Sequence, residues 1–278
     1  IRDRNILNKI FFDSQKTGEG IVGVIHFAGL KSVKNSIIKP LEYWDSNVNG
    51  TINLLKVMQE NNCKTIVFSS SATIYGLSDK KPILEKALIK PINPYGQTKL
   101  MVENILRDWA QDGRSATALR YFNPVGAHAS GRIGEDPHGI PNNLMPYIAQ
   151  VAVGKREALQ IFGDDYGTRD GTGERDYIHV TDLSEAHIRA IAKTATPAFL
   201  VLNIGTGKPS SVKQVIAQFE RHSNVPITTR IEAKRPGDVA TSFASNERSL
   251  DMLGDYVGKT IEDAVASSLQ AAGLKQQS

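Results

Sequence analysis

Ile21-Val-Gly-Val-Ile-His-Phe27 is an uninterrupted apolar run of strand length, the pattern of a strand buried on both faces. Working outward from it, Leu41 to Asn61 carries apolar residues at helical spacing, and Lys64-Thr-Ile-Val-Phe-Ser-Ser70 is a second strand. Tyr95 to Ala110 is a second helix and Ser115-Ala-Thr-Ala-Leu-Arg-Tyr121 a third strand. Strand, helix, strand, helix, strand predicts an α/β fold with a parallel sheet and helical crossovers. Ligands bind such sheets beyond the carboxyl ends of the strands. Phe27-Ala-Gly29, Ser69-Ser-Ser71 and Tyr121-Phe-Asn123 are therefore the places where chemistry is expected.

After Tyr121 the texture changes. Asn123 to Asn143 is rich in Gly, Pro and Asn and is longer than an ordinary connection of ~4–6 residues, which marks it as a candidate functional loop. Beyond it the pattern gives a strand at Leu159–Phe162, a helix at Asp182–Lys193, a strand at Phe199–Ile204, and helices near Val212 and Ile261. Residues 1–124 are expected to form one domain, and 125–278 a smaller mixed α/β region with some segments returning to the first.

Composition narrows the classes. With 40% hydrophobic and 22% charged residues the chain is globular, not disordered or collagen-like. Its formal charge of +4 is spread without a basic block, so an anionic small molecule fits better than nucleic acid. One cysteine, Cys63, excludes an internal disulfide and a Cys-rich zinc site, and points to a reducing, cytoplasmic setting. No apolar run approaches the ~20 residues of a membrane span. The six histidines lack metal-ligand spacing, so no metal is expected.

Tyr95 and Lys99, in Asn93-Pro-Tyr-Gly-Gln-Thr-Lys-Leu100, lie four apart where a helix begins after Pro94, so they share a face. A phenol titrates near ~10, too high for a base at neutral pH. An ammonium beside it favours the phenolate. Tyr-x-x-x-Lys alone occurs in many helices without function. Ser69-Ser-Ser71, at the end of the preceding strand, serves poorly as core packing and adds a hydroxyl able to share a substrate proton with Tyr95.

A Ser/Tyr/Lys set on successive βα units resembles the short-chain dehydrogenases and reductases. His26-Phe-Ala-Gly-Leu-Lys31, Phe68-Ser-Ser-Ser-Ala-Thr-Ile-Tyr-Gly76, Asn93-Pro-Tyr-Gly96 with Lys99, Arg120-Tyr-Phe-Asn-Pro-Val-Gly-Ala-His128, Gly139-Ile-Pro-Asn-Asn-Leu-Met145 and Gly173-Glu-Arg-Asp-Tyr-Ile-His-Val180 together resemble the UDP-galactose 4-epimerases. The resemblance runs from Ile1 almost to the C-terminus. It implies a Rossmann-like doubly wound parallel sheet, NAD as cofactor, a UDP-hexose as substrate, and a homodimer built on the helices at 41–61 and 95–110.

It also implies roles. Tyr95, as phenolate, takes the 4-hydroxyl proton while a hydride leaves C4 for NAD; Ser71 bridges the sugar oxygen and Tyr95; Lys99 holds the nicotinamide ribose. Phe27, Ala28, Gly29, Lys31, Asn47, Ser69 and Phe122 match the family's remaining cofactor-facing positions. Ser71, Asn123, Asn143, Leu144, Gln160, Phe162, Arg175, Tyr177, Arg235, Asp238 and Ser242 match its substrate side, with the two arginines on the diphosphate. At Ser242 the family carries either a bulky tyrosine or a small residue, and the small one leaves room for an N-acetyl group at C2. The related dehydratases place an acidic pair after the catalytic hydroxyl, where this chain has Ala72 and Thr73.

The chain opens on Ile1-Arg-Asp-Arg-Asn5, and no Gly-x-Gly-x-x-Gly turn occurs in it. Such a turn lets the backbone approach the pyrophosphate of a dinucleotide. The expectation is therefore an N-terminally truncated Rossmann domain lacking its glycine-rich βαβ. Two alternatives remain open: another nucleotide-sugar enzyme of the superfamily, such as a decarboxylase or dehydratase, and a non-catalytic nucleotide-sugar-binding module.

Overall fold

The computed structural model describes residues 1–78, 80–137, 141, 143–193, 198–235 and 237–274. Along the chain come α1 (Arg4–Lys16), β1 (Gly23–His26), α2 (Val33–Ile38), α3 (Pro40–Tyr43), a π-helical segment (Trp44–Asn49), α4 (Gly50–Glu60), β2 (Thr65–Ser71) and a 3₁₀ turn (Ala72–Tyr75). Then follow α5 (Pro94–Trp109), β3 (Ser115–Tyr121), β4 (Asn123–Val125), α6 (Leu144–Ala152), β5 (Leu159–Phe162), β6 (Glu174–His179), α7 (Val180–Lys193) and β7 (Phe199–Ile204). The last elements are β8 (Pro209–Ser211), α8 (Val212–Ser223), β9 (Thr229–Glu232), β10 (Thr241–Ser242), α9 (Glu247–Leu253) and α10 (Ile261–Ala271).

The chain divides into two units. The first comprises residues 1–76, 87–121 and 187–203, the second residues 77–86, 122–186 and 204–278.

In the first unit the sheet order is β1-β2-β3-β7, with β1–β2 and β2–β3 parallel and His26 opposite Phe68. Ile66, Val67 and Phe68 are buried on both faces because helices cover the sheet, which is why β2 reads as a continuous apolar run. Phe11 of α1, Leu54 and Met58 of α4, and Val102 and Leu106 of α5 pack with β2 and β3 into one core cluster. Each such side chain contributes about 1.5–3 kcal/mol on burial. α5 buries Thr98, Lys99, Val102, Glu103 and Leu106, a stripe at helical period that carries a lysine and a glutamate into the interior. The Asn93 side chain accepts from Gly96 N at 2.8 Å and fixes where this helix begins.

In the second unit β10, β6 and β4 form a parallel set, and β8 pairs antiparallel with β6. β5 and β9 form a separate parallel pair. α6, α8 and α10 close its core around Ile148, Phe219, Val265 and Leu269. The Asp176 carboxylate receives Thr206 N, Gly207 N and Ala244 N and holds the two chain segments after β7 and β10 to β6.

Three expectations change. The helix at 41–61 is interrupted: α3 and α4 are joined through a π-helical segment that contains Asn47. α1 and the short strands β4, β8, β9 and β10 were not anticipated. The expectation of a lacking glycine-rich βαβ finds no support in the described elements, where a parallel sheet is under way from β1. No helix among the described residues is long and apolar enough to cross a membrane.

Candidate active site

In the first unit the carboxyl end of β2 and the first turns of α5 bring the expected triad together. Ser71 ends β2 and caps the 3₁₀ turn: its Oγ accepts from Thr73 N at 3.2 Å and lies 2.8 Å from Thr73 Oγ1. A Cβ at Gly96 would lie 3.2 Å from Thr73 O and 3.0 Å from Pro91 Cβ, so glycine there lets α5 start hard against this turn. Tyr95 is half-buried, and the Ser71 side chain is near enough to act on its phenol.

The electrostatics differ from the simple expectation. Burial pushes the Tyr95 phenol above its ordinary value, and the Ser71 hydrogen bond pulls the other way. Lys99 donates to Ser69 O at 2.6 Å and stands 4.7 Å from the Phe68 ring centroid and 5.7 Å from that of Tyr95. Its burial lowers its pKa to about 8, and the negative charge of Glu103 acts to raise it. In this arrangement the ammonium is anchored to β2 through the Ser69 carbonyl.

Phe27, Ala28, Gly29, Lys31, Asn47 and Ser69, expected around a cofactor, lie in the first unit. The Phe27 ring is 56% exposed and lies 4.7 Å from the ring of His187. Asn47 is buried: its Oδ1 accepts from Leu30 N at 2.7 Å, while its Nδ2 donates to Leu30 O and Thr98 Oγ1. It therefore ties the loop after β1 to the two helices behind it. A Cβ at Gly29 would lie 3.1 Å from Asn47 Oδ1, so that loop passes close over the amide. Ala28 and Lys31 are exposed on the same loop, and the Tyr121 hydroxyl hydrogen-bonds His187. Phe122 is buried and belongs to the second unit.

In the second unit, Arg175 and Asp238 meet as an ion pair at 3.4 Å, and Arg175 also donates to Glu174 O at 2.8 Å. A partly exposed pair of this kind is worth about 0–1 kcal/mol. The Arg235 guanidinium stacks 3.7 Å from the Phe162 ring centroid, which orients it without using its N–H groups. Ser242 lies opposite Arg175 across the β10–β6 pair, and Asn123 lies opposite Tyr177 across β4–β6. Tyr177 itself is buried in the apolar cluster, and burial pushes its phenol up to about 12. Gln160 is exposed on β5. Asn143 precedes α6 and donates to Glu135, and Leu144 packs on the core. Gly139, Ile140 and Asn142 of the Pro-Asn-Asn-Leu motif, and Pro236 of the Arg-Pro-Gly-Asp motif, lie outside the described residues.

Sequence reasoning missed four residues here: Thr73, Glu103, Arg120 and His187. Glu103 had a signal, standing four residues after Lys99 on the same helical face. His187 had none, because its hydrogen bond to Tyr121 spans 66 residues.

The sequence profile of the NAD dependent epimerase/dehydratase family matches residues 3–205. The UDP-glucose 4-epimerase of Bacillus subtilis (strain 168) is 49% identical over 272 residues, which are 96% of this chain and 78% of that protein. UDP-glucose 4-epimerase GEPI48 of Cyamopsis tetragonoloba is 51% identical over 267 residues, 92% of this chain and 74% of its own length. Among solved structures, the UDP-glucose-4-epimerase of Stenotrophomonas maltophila with bound NAD and formylated UDP-arabinopyranose superposes with a TM-score of 0.93 at 45% identity, covering 98% of this chain and 80% of that one. The Bifidobacterium longum UDP-glucose 4-epimerase in complex with NAD+ and UDP gives 0.91 at 46% identity, with 98% and 81% covered. The Ser71/Tyr95/Lys99 set and these matches lead to one conclusion: the chain belongs to the NAD dependent epimerase/dehydratase family, among its UDP-glucose 4-epimerases.

Proposed function

We infer that this protein interconverts UDP-galactose and UDP-glucose with NAD as its bound cofactor. The observation that carries the reading is the convergence of Ser71, Tyr95 and Lys99 at the carboxyl end of a parallel strand in a chain of this family.

The residues present fit the cofactor. Phe27 offers an exposed ring beyond β1, Gly29 keeps the loop close over the Asn47 amide, and Lys99 uses one N–H on Ser69 O, leaving others for ribose hydroxyls. NAD, when bound, supplies hydride transfer at C4 of the sugar. Tyr95 removes the 4-hydroxyl proton in one half of the cycle and returns it in the other. Ser71 holds the sugar oxygen in hydrogen-bond reach of the phenol, and the Lys99 charge favours its phenolate. Turning the 4-keto sugar to present its opposite face requires an anchor elsewhere. Arg175 and Arg235 serve as that anchor, since a guanidinium fork suits diphosphate oxygens. Asn123, Asn143, Gln160, Phe162 and Asp238 complete the nucleotide contacts.

Exposed Ile37, Ile38 and Leu41 and the partly exposed Met101 give α2, α3 and α5 an apolar surface that supports the homodimer. The buried, unpaired Cys63 fits a reducing cytoplasmic setting.

The test is conversion of 4-deuterated UDP-galactose by the holoenzyme. UDP-glucose that keeps its deuterium at C4 is expected, whereas a 4-keto-6-deoxy or decarboxylated product would replace this reading. Ser242 gives a second expectation: the enzyme also accepts the N-acetylated pair. Substituting Ser242→Tyr lowers the ratio of kcat/KM for UDP-N-acetylgalactosamine over UDP-galactose by roughly tenfold or more. An unchanged ratio removes Ser242 from the substrate contacts.

A further inference from the structure

Behind the catalytic helix, a buried polar cluster connects the elements that the reaction needs aligned. Glu103, fully buried, accepts from the Ser70 hydroxyl at the end of β2. Its two oxygens receive the Arg120 guanidinium of β3, Nε on Oε1 at 3.0 Å and Nη2 on Oε2 at 2.7 Å. Arg120 Nη1 donates to Tyr75 OH at 2.8 Å, and that hydroxyl donates to Asn203 Oδ1 of β7 at 2.6 Å. Ser70 and Arg120 are register partners across β2–β3. One carboxylate thus joins α5 to the strand that carries Ser69 and Ser71, and through Arg120 to the next strand.

We propose that Glu103 is a positioning residue of the active site: it clamps α5, which carries Tyr95 and Lys99, onto the end of β2, which carries Ser71, and it supplies an anion one turn from Lys99 on the same buried face of that helix. The proposal rests on the epimerase reading for its catalytic consequence. Burial of an ammonium costs free energy unless a negative charge stands near it. Lys99 faces His26 from β1, Phe68 and the Ser69 carbonyl from β2, and Tyr95 and Glu103 from its own helix. Arg120 from β3 lies against Glu103, and Tyr121 from β3 faces Tyr95. Neutral His26 and the two phenols add no negative charge at neutral pH, so Glu103 is the anion of this set.

The test compares Glu103→Gln and Glu103→Asp holoenzymes with the unchanged protein. Lys99 is followed by NMR of lysine labelled with ¹³C at Cε, its resonance assigned by loss in Lys99→Met. From about 8, its midpoint falls by about one pH unit or more in Glu103→Gln, and stays near its starting value in Glu103→Asp, which keeps the charge. At pH 8.5, kcat for UDP-galactose falls about tenfold or more in Glu103→Gln with KM within about threefold. If Glu103→Gln does not fold, the double variant E103Q/R120Q is titrated instead; it removes both charges, so loss of the Arg120 cation offsets part of the effect and a smaller fall in the same direction is expected of it. A Lys99 midpoint that does not move in whichever of these variants folds overturns the proposal. Absence of UDP-galactose turnover in the unchanged enzyme refutes the epimerase reading, while the NMR titration still decides the role of Glu103.

Discussion

Replacing Tyr95 by Phe lowers kcat for UDP-galactose about a thousandfold and changes sugar-nucleotide affinity only a few-fold. A positioned general base contributes about 10²–10⁴-fold, and the phenol is the group in hydrogen-bond reach of Ser71 that can move a proton. The ring remains, so packing between α5 and its neighbours is kept. The phenol enters this role from a high starting point, because burial disfavours its anion and the Ser71 hydrogen bond offsets that only in part. The reaction therefore depends on positive charge at Lys99, and activity is expected to decline as pH rises through about 8, where that lysine loses its proton. Steady-state kinetics with isothermal binding of UDP to both proteins measures the split. A variant that keeps kcat within tenfold would assign the proton transfer to another group.

Replacing Arg120 by Met destabilises the protein by about 3–5 kcal/mol, measured as a fall in the denaturant midpoint. The guanidinium is 2% exposed, and its removal leaves the Glu103 carboxylate buried against Ser70 without the cation that hydrogen-bonds both its oxygens. It also removes the donor to Tyr75 OH. Removing both partners, as E103M/R120M, costs less than removing the arginine alone, because the Glu103–Arg120 pair leaves together; the unmade bonds to Ser70 and Tyr75 cost about 1–3 kcal/mol each. A single variant within about 1 kcal/mol of the unchanged protein would mean that Glu103 is protonated or finds another cation.

The sheet was legible because its strands are short, apolar and bounded by turn residues. The expected bounds of Ser115–Tyr121, Leu159–Phe162 and Phe199–Ile204 agree with β3, β5 and β7. The interruption of the helix at Trp44–Asn49 was not legible, since one extra residue in a turn leaves the apolar spacing nearly unchanged. The strands β4, β8 and β10 were also missed. At two or three residues each, they are too short to show a period, and they exist because β6 offers its edges.

For the site, the sequence by itself determined which three side chains come to one strand end. Tyr95 and Lys99 share a helix face because of their spacing, and Ser71 falls at a strand end because β2 stops there. Residue type and local period suffice for such statements. Only the tertiary structure decided the electrostatics: burial raises the Tyr95 phenol and lowers Lys99, Ser69 O holds the ammonium, and Glu103 is buried against Arg120. Desolvation and charge pairing depend on what lies within a few ångströms in space, and those neighbours come from strands and helices far apart in the chain.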